Sequence, residues 1–323
     1  MTTAEQNTAP SALRKILQGD VILLIVLVVE IIVMALLSNK FFTVYNLLNM
    51  TRNFVEIGIV SLSMTFVILT SGIDLSVGSL VGMNAMILGT LSIRTGLNIW
   101  VAAIIVIAVS ILAGFLNGTV ITRIKVPPLV VTLATMSMFR GLAYSVSDAK
   151  TFSGFPESFS FLGQGTLFNT NIPVQLLIFA ALALVFFITM KYTRFGRNVY
   201  VIGNNEKTAL FSGINVNRVK VILYIFSGLL CGIASIIMVS RVSAARADLA
   251  TGFELDVITA VLVGGTSIAG GKGSVGATIL GFFIIIILRN GLSLAGFSTL
   301  IQTIFVGVVL ILSVYLRTIK LAK

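Results

Sequence analysis

Histidine does not occur anywhere in the 323 residues, and cysteine occurs once, at Cys231. The first absence removes the commonest general base and the commonest metal ligand. The second excludes an intrachain disulfide. Charge is scarce too, with 10% of residues Asp, Glu, Lys or Arg and only 11 acids among them. A Ser-His-Asp relay, a His-ligated zinc and a histidine proton shuttle are therefore closed, and the chain is expected to hold no catalytic residue, no metal and no cofactor.

What is present is apolar. A content of 57% hydrophobic residues and a mean hydropathy of +1.08 lie outside the range of soluble domains and inside that of polytopic membrane proteins. The net charge of +11 raises nucleic acid as a partner, but the bases sit at the ends of apolar runs, where they orient helices and meet anionic headgroups. The lipid bilayer is the expected partner, and no nucleic acid is. The first twenty residues are polar and the run after them lacks a small-x-small cleavage site, so it should remain as the first span.

Hydropathy predicts an all-α polytopic membrane protein with about ten transmembrane helices. The first six run at Val21 to Leu37, Phe54 to Thr70, Leu75 to Ile93, Ile99 to Thr122, Pro127 to Val146 and Ile172 to Met190. The last four are Val221 to Ser240, Val257 to Ala269, Val275 to Leu288 and Thr299 to Leu316, of which the eighth and ninth are short and rich in glycine. This divides the chain into a cytoplasmic tail at 1–20 and one transmembrane domain at 21–323. With the amino terminus inside, fourteen of the 22 basic residues fall on the cytoplasmic side and seven outside, which places both termini in the cytoplasm. Lys40 and Arg52, after the first span, run against that bias.

The two halves echo each other. Ser71-Gly72-Ile73-Asp74-Leu75 follows the second span and Thr251-Gly252-Phe253-Glu254-Leu255 follows the seventh, and Leu116-Asn117-Gly118 is answered by Arg289-Asn290-Gly291. The members of each pair fall on opposite sides of the membrane, as an inverted repeat of helices 2–5 and 7–10 requires. The competing explanation is coincidence between two short matches.

Residues 191–220 form the most basic loop, with six Lys or Arg against Glu206. Asn204 and Asn205 before it, Ala209-Leu210-Phe211 within it and Gly213 after it predict a short helix over Glu206 to Ser212. So short a helix is unstable alone. It lies either on its own chain's helix ends or in a partner's groove, with Ala209 and Phe211 as apolar contacts. The exterior loop at 147–171 is long, nearly neutral and suited to an external partner.

Ser71, Gly72, Asp74, Ser76 and Gly78 make a polar, glycine-rich break between apolar runs. Asp74 is expected to cap the helix that begins at Leu75. The same break can line a polar path, since irregular backbone at membrane depth survives only inside protein or beside water. Glu30 and Arg140 lie deepest in the predicted spans, where ionisable groups cost about 2.5 to 3.5 kcal/mol, and structural ion pairs are expected of them. The run Gly264 to Ser274 imitates a phosphate-binding loop, but Thr266 stands where its first glycine belongs and Gly273 where its hydroxyl belongs. Nucleotide binding is rejected here, so any ATP must be bound by another chain. The sequences around Ser267 and Ser293 each miss the last glycine of a nucleophile elbow.

Three ordered motifs resemble one family. They are Thr70-Ser71-Gly72-Ile73-Asp74-Leu75-Ser76-Val77-Gly78-Ser79, then Gly196-Arg197-Asn198 through Asn204 to Ser212-Gly213-Ile214-Asn215-Val216-Asn217, then Ala260 to Gly265 through Gly270-Gly271-Lys272-Gly273. Together they resemble the ribose-type monosaccharide permeases of bacterial ABC importers, from about Phe41 onward. Val126 to Leu133 and Ala245 to Leu249 also look similar to the permeases of autoinducer-2 and deoxysugar importers. The resemblance implies a multi-pass permease domain in the bacterial inner membrane, paired with a second permease, identical or paralogous. It also implies a cytoplasmic ATP-binding subunit and an external sugar-binding protein. On that footing Gly203, Glu206, Ala209, Phe211, Gly213 and Asn215 carry ATPase coupling, and the break at Ser71 to Gly78 lies on the translocation path. Arg241 and Arg246 are candidates to meet carboxylates on the binding protein, or else to anchor at the interface. The rival from another class is an ion-coupled secondary transporter, for which Glu30 and Asp74 are the candidate ion sites.

Overall fold

In a computed structural model that describes residues 19–148, 150–167 and 170–321, the chain is predominantly helical. Apart from its last two residues, the tail expected at 1–20 lies outside the described residues. Helix α1 (Gly19–Leu37) is followed by α2 (Val44–Leu69), which Thr43 starts by accepting the Asn46 amide on its hydroxyl at 3.2 Å. Next come α3 (Val77–Gly89), α4 (Ile99–Thr119) and α5 (Pro128–Ser147), the first two running on through π turns to Arg94 and Ile124. A short strand β1 (Phe152–Ser153) and α6 (Glu157–Gln164) lead to α7 (Val174–Tyr192), α8 (Arg194–Asn204), α9 (Glu206–Phe211) and α10 (Val216–Val242). Strand β2 (Ala244–Ala245) pairs antiparallel with β1, and α11 (Phe253–Val263), α12 (Val275–Leu294) and α13 (Thr299–Leu321) complete the chain.

Seven of these helices are long and apolar enough to cross a membrane, and Leu23–Leu37 and Thr299–Tyr315 are shorter apolar stretches. The expected eighth span differs. Its helix, α11, has 11 residues, about 16 Å at 1.5 Å per residue, roughly half of a hydrocarbon core of about 30 Å. Gly252, at a φ of +82°, sets its start, and Gly264-Gly265 ends it. The second span also differs, beginning at Val44 instead of Phe54, because Thr51, Arg52 and Asn53 dilute hydropathy without breaking the helix.

Helices α2 and α10 form the centre and pack on each other, α2 also on α12 and α10 also on α4. The α4–α10 seam is backbone on backbone: a Cβ on Gly228 would overlap the Ser110 carbonyl, and one on Gly114 would overlap that of Tyr224. Small residues permit that approach, and the Ser110 hydroxyl donates to the Gly228 carbonyl at 2.6 Å. On the other seam Thr65 and Thr278 share a hydrogen bond of 2.7 Å. Helix α3 packs on α5 as α11 packs on α13, so the pairing within 44–147 recurs within 216–321 with the partners of the two long helices exchanged. Around the outside, Leu36, Leu142, Leu184 and Ile304 are among many exposed apolar side chains, as a bilayer-facing surface requires.

Candidate functional site

Three places gather the polar residues of the bundle. The first is the break after α2. Ser71, at a φ of +60°, turns the chain back among the helices, and residues 70–76 are non-helical. Asp74, 2% exposed, accepts the Ser76 amide at 3.0 Å and the Ser76 hydroxyl at 2.6 Å on Oδ1, and the Ser227 hydroxyl at 2.7 Å on Oδ2. Asn117 donates to the Ser76 hydroxyl at 3.0 Å, and Thr132 to the Ile73 carbonyl at 3.0 Å. Ser227 sits near the middle of α10, so this knot lies deep in the bundle. The carboxylate serves one amide and two hydroxyls, and the helix starts at Val77 instead of Leu75.

A second re-entrant segment meets it. After β2 the chain descends through turns over residues 246–252, and the Arg140 guanidinium of α5 donates to the Ala247 carbonyl. Gly82 of α3 backs onto that carbonyl and onto Arg140, while Gly78, one turn earlier, backs onto the Ala250 carbonyl and the Glu254 carboxylate. Helix α3 and the short helix α11 therefore start beside each other, each with an acid at its positive end. Glu254 Oε2 is buried there without a hydrogen bond.

The second place is the end of the bundle that carries the basic segment. Thr193 starts α8 by accepting the Gly196 amide at 3.2 Å. Gly203 near its close packs against the Leu69 carbonyl and Gly271. The Tyr200 hydroxyl donates to the Gly273 carbonyl at 2.7 Å, the Gly271 amide to the Leu69 carbonyl at 3.0 Å, and the Ser71 hydroxyl to the Ala269 carbonyl at 2.8 Å. Burial pushes the Tyr200 phenol above its ordinary value. Gly270 and Gly271, at φ of +84° and +72°, supply the left-handed turns that admit these contacts. The stretch that imitates a phosphate loop is thus a splice joining α8, the end of α2 and the end of α11.

Beyond α8, Asn205 caps α9 by accepting the Thr208 amide at 3.0 Å, as the sequence led one to expect, and Glu206 pairs with Lys220 at 2.7 Å. Ala209 is fully buried whereas Phe211 is 92% exposed, so the outward apolar contact falls to Phe211 and its half-exposed neighbour Leu210. Gly213 turns the chain at a φ of +79°, and Asn215 caps α10 through the Arg218 amide at 3.0 Å.

The third place, towards the opposite end, is a cavity of ≈ 470 Å³ between α2, α10, α11, α12 and α13. Two ion pairs border it. Arg241 Nε meets Glu56 Oε1 at 2.9 Å, and Arg289 meets Asp256 Oδ1 through Nη2 at 2.6 Å and Nε at 3.2 Å. Arg241 is thereby engaged with α2, while Arg246 stands exposed and paired with Asp248 at 2.6 Å. The Arg246 guanidinium holds the Asp248 carboxyl below the usual carboxylate range. Sequence reasoning passed over Glu56 and Asp256, and it placed Arg289 in an exterior segment. The paired residues stand 185 and 33 positions apart, and only the tertiary fold brings them together.

A family profile described as the permease component of a branched-chain amino acid transport system matches residues 46–314. The ribose import permease protein RbsC of Bacillus subtilis (strain 168) is 37% identical over 92% of this chain and 92% of its own length. RbsC of Escherichia coli (strain K12) is 38% identical, over 90% of this chain and 91% of its own length. The autoinducer 2 import system permease protein LsrD of Escherichia coli O9:H4 (strain HS) is 35% identical, over 92% of this chain and 91% of its own. No solved structure matches the chain.

Proposed function

The chain belongs to the family of permease components of branched-chain amino acid transport systems, and from that premise we propose that it is the membrane-spanning subunit of a bacterial ATP-driven importer whose cargo is a monosaccharide or sugar-like solute. Relatives that import ribose and autoinducer 2, aligned over nine-tenths of the chain, support the cargo class. The observation that carries the mechanism is the exposed Phe211 on α9, a six-residue helix held on the bundle by Asn205 and the Glu206–Lys220 pair. A cytoplasmic ATP-binding subunit grips α9 and flanking basic residues. Closure of that subunit moves α8, and the splice at Gly271 passes the motion to the ends of α2 and α11. A second permease, identical or paralogous, shares the path, and an external sugar-binding protein delivers the solute.

On this reading the basic end is cytoplasmic, both termini lie there, and the inner membrane is the location. Residues 21–323 act as one permease domain built on an inverted repeat. The exchanged helix pairing supports that repeat, as does the side-by-side start of α3 and α11. The break at Ser71, Gly72, Asp74, Ser76 and Gly78 borders the moving part of the path. The chain is no enzyme on this account, and nucleotide hydrolysis belongs to the partner. Exterior docking falls to Arg246, with Arg241 joining it only by leaving Glu56.

Proteoliposomes containing the chain with its copurified ATP-binding partner, supplied with the sugar-binding protein, are expected to accumulate ribose or a related sugar only with internal-facing ATP. Uptake by the chain alone, driven by an ion gradient, would sink the proposal and favour a secondary transporter. Tyr200→Phe removes one bond of the splice, worth about 1 kcal/mol. The expected result is up to about fivefold less sugar moved per ATP hydrolysed, with normal assembly. An unchanged ratio would exclude Tyr200 from the coupling route.

A further inference from the structure

We infer that the cavity bordered by Glu56 and Asp256 is the holding site for a neutral, polyhydroxylated solute within this chain, an inference that rests on the sugar-import reading and gives it an address. The volume of ≈ 470 Å³ falls in the range of small-molecule sites, about 300 to 1,000 Å³, and accommodates a pentose with accompanying water. Its lining combines two kinds of group that a sugar uses. Phe54 and Phe253 supply ring surface for C–H faces, while Asn53, Thr259 and Thr303 supply hydrogen-bonding groups. The carboxylates add acceptors. Each binds its arginine through a single oxygen, which leaves Glu56 Oε2 and Asp256 Oδ2 for hydroxyl donors. Most of the wall is apolar, as in small-molecule sites generally, and the few polar groups set into it are the ones that would orient a solute.

Charge chooses between cargo classes. The two acids and two arginines sum to zero and are already joined pairwise. An amino acid would bring an ammonium and a carboxylate that each need a fresh counter-charge, at the desolvation cost of further buried ions. A polyol brings none, and asks only for donors and acceptors. One wall, Leu249 to Phe253, is the re-entrant segment that ends at the start of α11. Movement of that half-helix therefore opens or closes the cavity itself.

The test uses the complete complex in proteoliposomes. Cys231 is fully buried, so Thr303→Cys gives this chain its one exposed thiol, on α13, and the complex with unaltered Thr303 serves as the labelling blank. A membrane-impermeant methanethiosulfonate added from outside is expected to label it, and saturating D-ribose with the binding protein is expected to slow labelling at least about threefold while L-leucine does not. A thiol that stays unlabelled, or that leucine protects and ribose does not, overturns the inference. Independently, Gly307 lines the cavity and a Cβ there meets open space, so Gly307→Phe should narrow the cavity. The expected result is at least about tenfold lower ribose uptake with assembly and basal ATPase intact, and normal uptake overturns the inference. If the unaltered complex moves no sugar at all, the sugar-import reading itself fails, an outcome distinct from failure of the cavity alone.

Discussion

Gly228→Leu is expected to leave almost no folded protein in the membrane, whereas Gly232→Ala, one turn along the same helix, should be tolerated. At Gly228 the new Cβ would run into the Ser110 carbonyl and the Gly114 amide, both backbone groups of α4. Neither can move aside without parting α4 from α10, the most extensive helix pairing in the fold. Parting them also removes the Ser110 bond to the Gly228 carbonyl and draws Ser227 away from Asp74. Overpacking alone costs about 1 to 3 kcal/mol, and each buried polar group left unsatisfied adds about 1 to 3 more, together a large part of the ordinary stability of about 5 to 15 kcal/mol. At Gly232 the nearest atom is the Ser110 Cβ at 3.1 Å, which a shift of a few tenths of an ångström relieves. Membrane fractions assayed for intact chain, followed by size exclusion in detergent, separate the two. Normal yield and a monodisperse peak for Gly228→Leu would mean that α4 and α10 do not meet through bare backbone.

This seam marks the limit of what the sequence discloses. Apolar runs and charged loops announce a helical membrane protein because each is a local property, legible one window at a time. Depth is not local. Hydropathy reads Val257 to Ala269 as a span, because it weighs how apolar a stretch is and takes no account of where the stretch starts. The structure starts α11 beside Gly78, inside the bundle, and ends it at Gly264. The echo between Asp74 and Glu254 was visible as two short strings, but that the two acids sit at neighbouring helix starts requires the glycine face of α3, Gly78 and Gly82, to be seen against the segment it admits. Helix α8 escaped notice because its strongly two-sided pattern is buried among basic residues that favour reading a loop. The cavity escaped altogether. Its ion pairs join residues whose own surroundings carry no sign of a partner, and Arg241 looked like an exterior charge because it ends an apolar run.

The segment that the sequence marked most clearly yields the second large effect. Phe211→Asp is expected to leave the chain in the membrane at native amounts, yet to release the ATP-binding partner on purification and to abolish ATP-driven uptake. Phe211 is 92% exposed and Leu210 is 55% exposed, on a helix of six residues outside the apolar spans. A large apolar side chain in that position does nothing for the fold, so its removal should not cost stability. In an interface, however, an aromatic anchor contributes about 2 to 4 kcal/mol, so losing it weakens association about 30- to 1,000-fold. Adding a carboxylate at the site desolvates a charge as well. Ala209→Asp makes the instructive contrast, because Ala209 is buried against the bundle. That change should unseat α9 and lower the amount of folded chain, a loss that Phe211→Asp does not share. If Phe211→Asp keeps its partner through purification and transports at the native rate, α9 is not where energy enters, and the coupling route through α8 and the Gly271 splice falls with it.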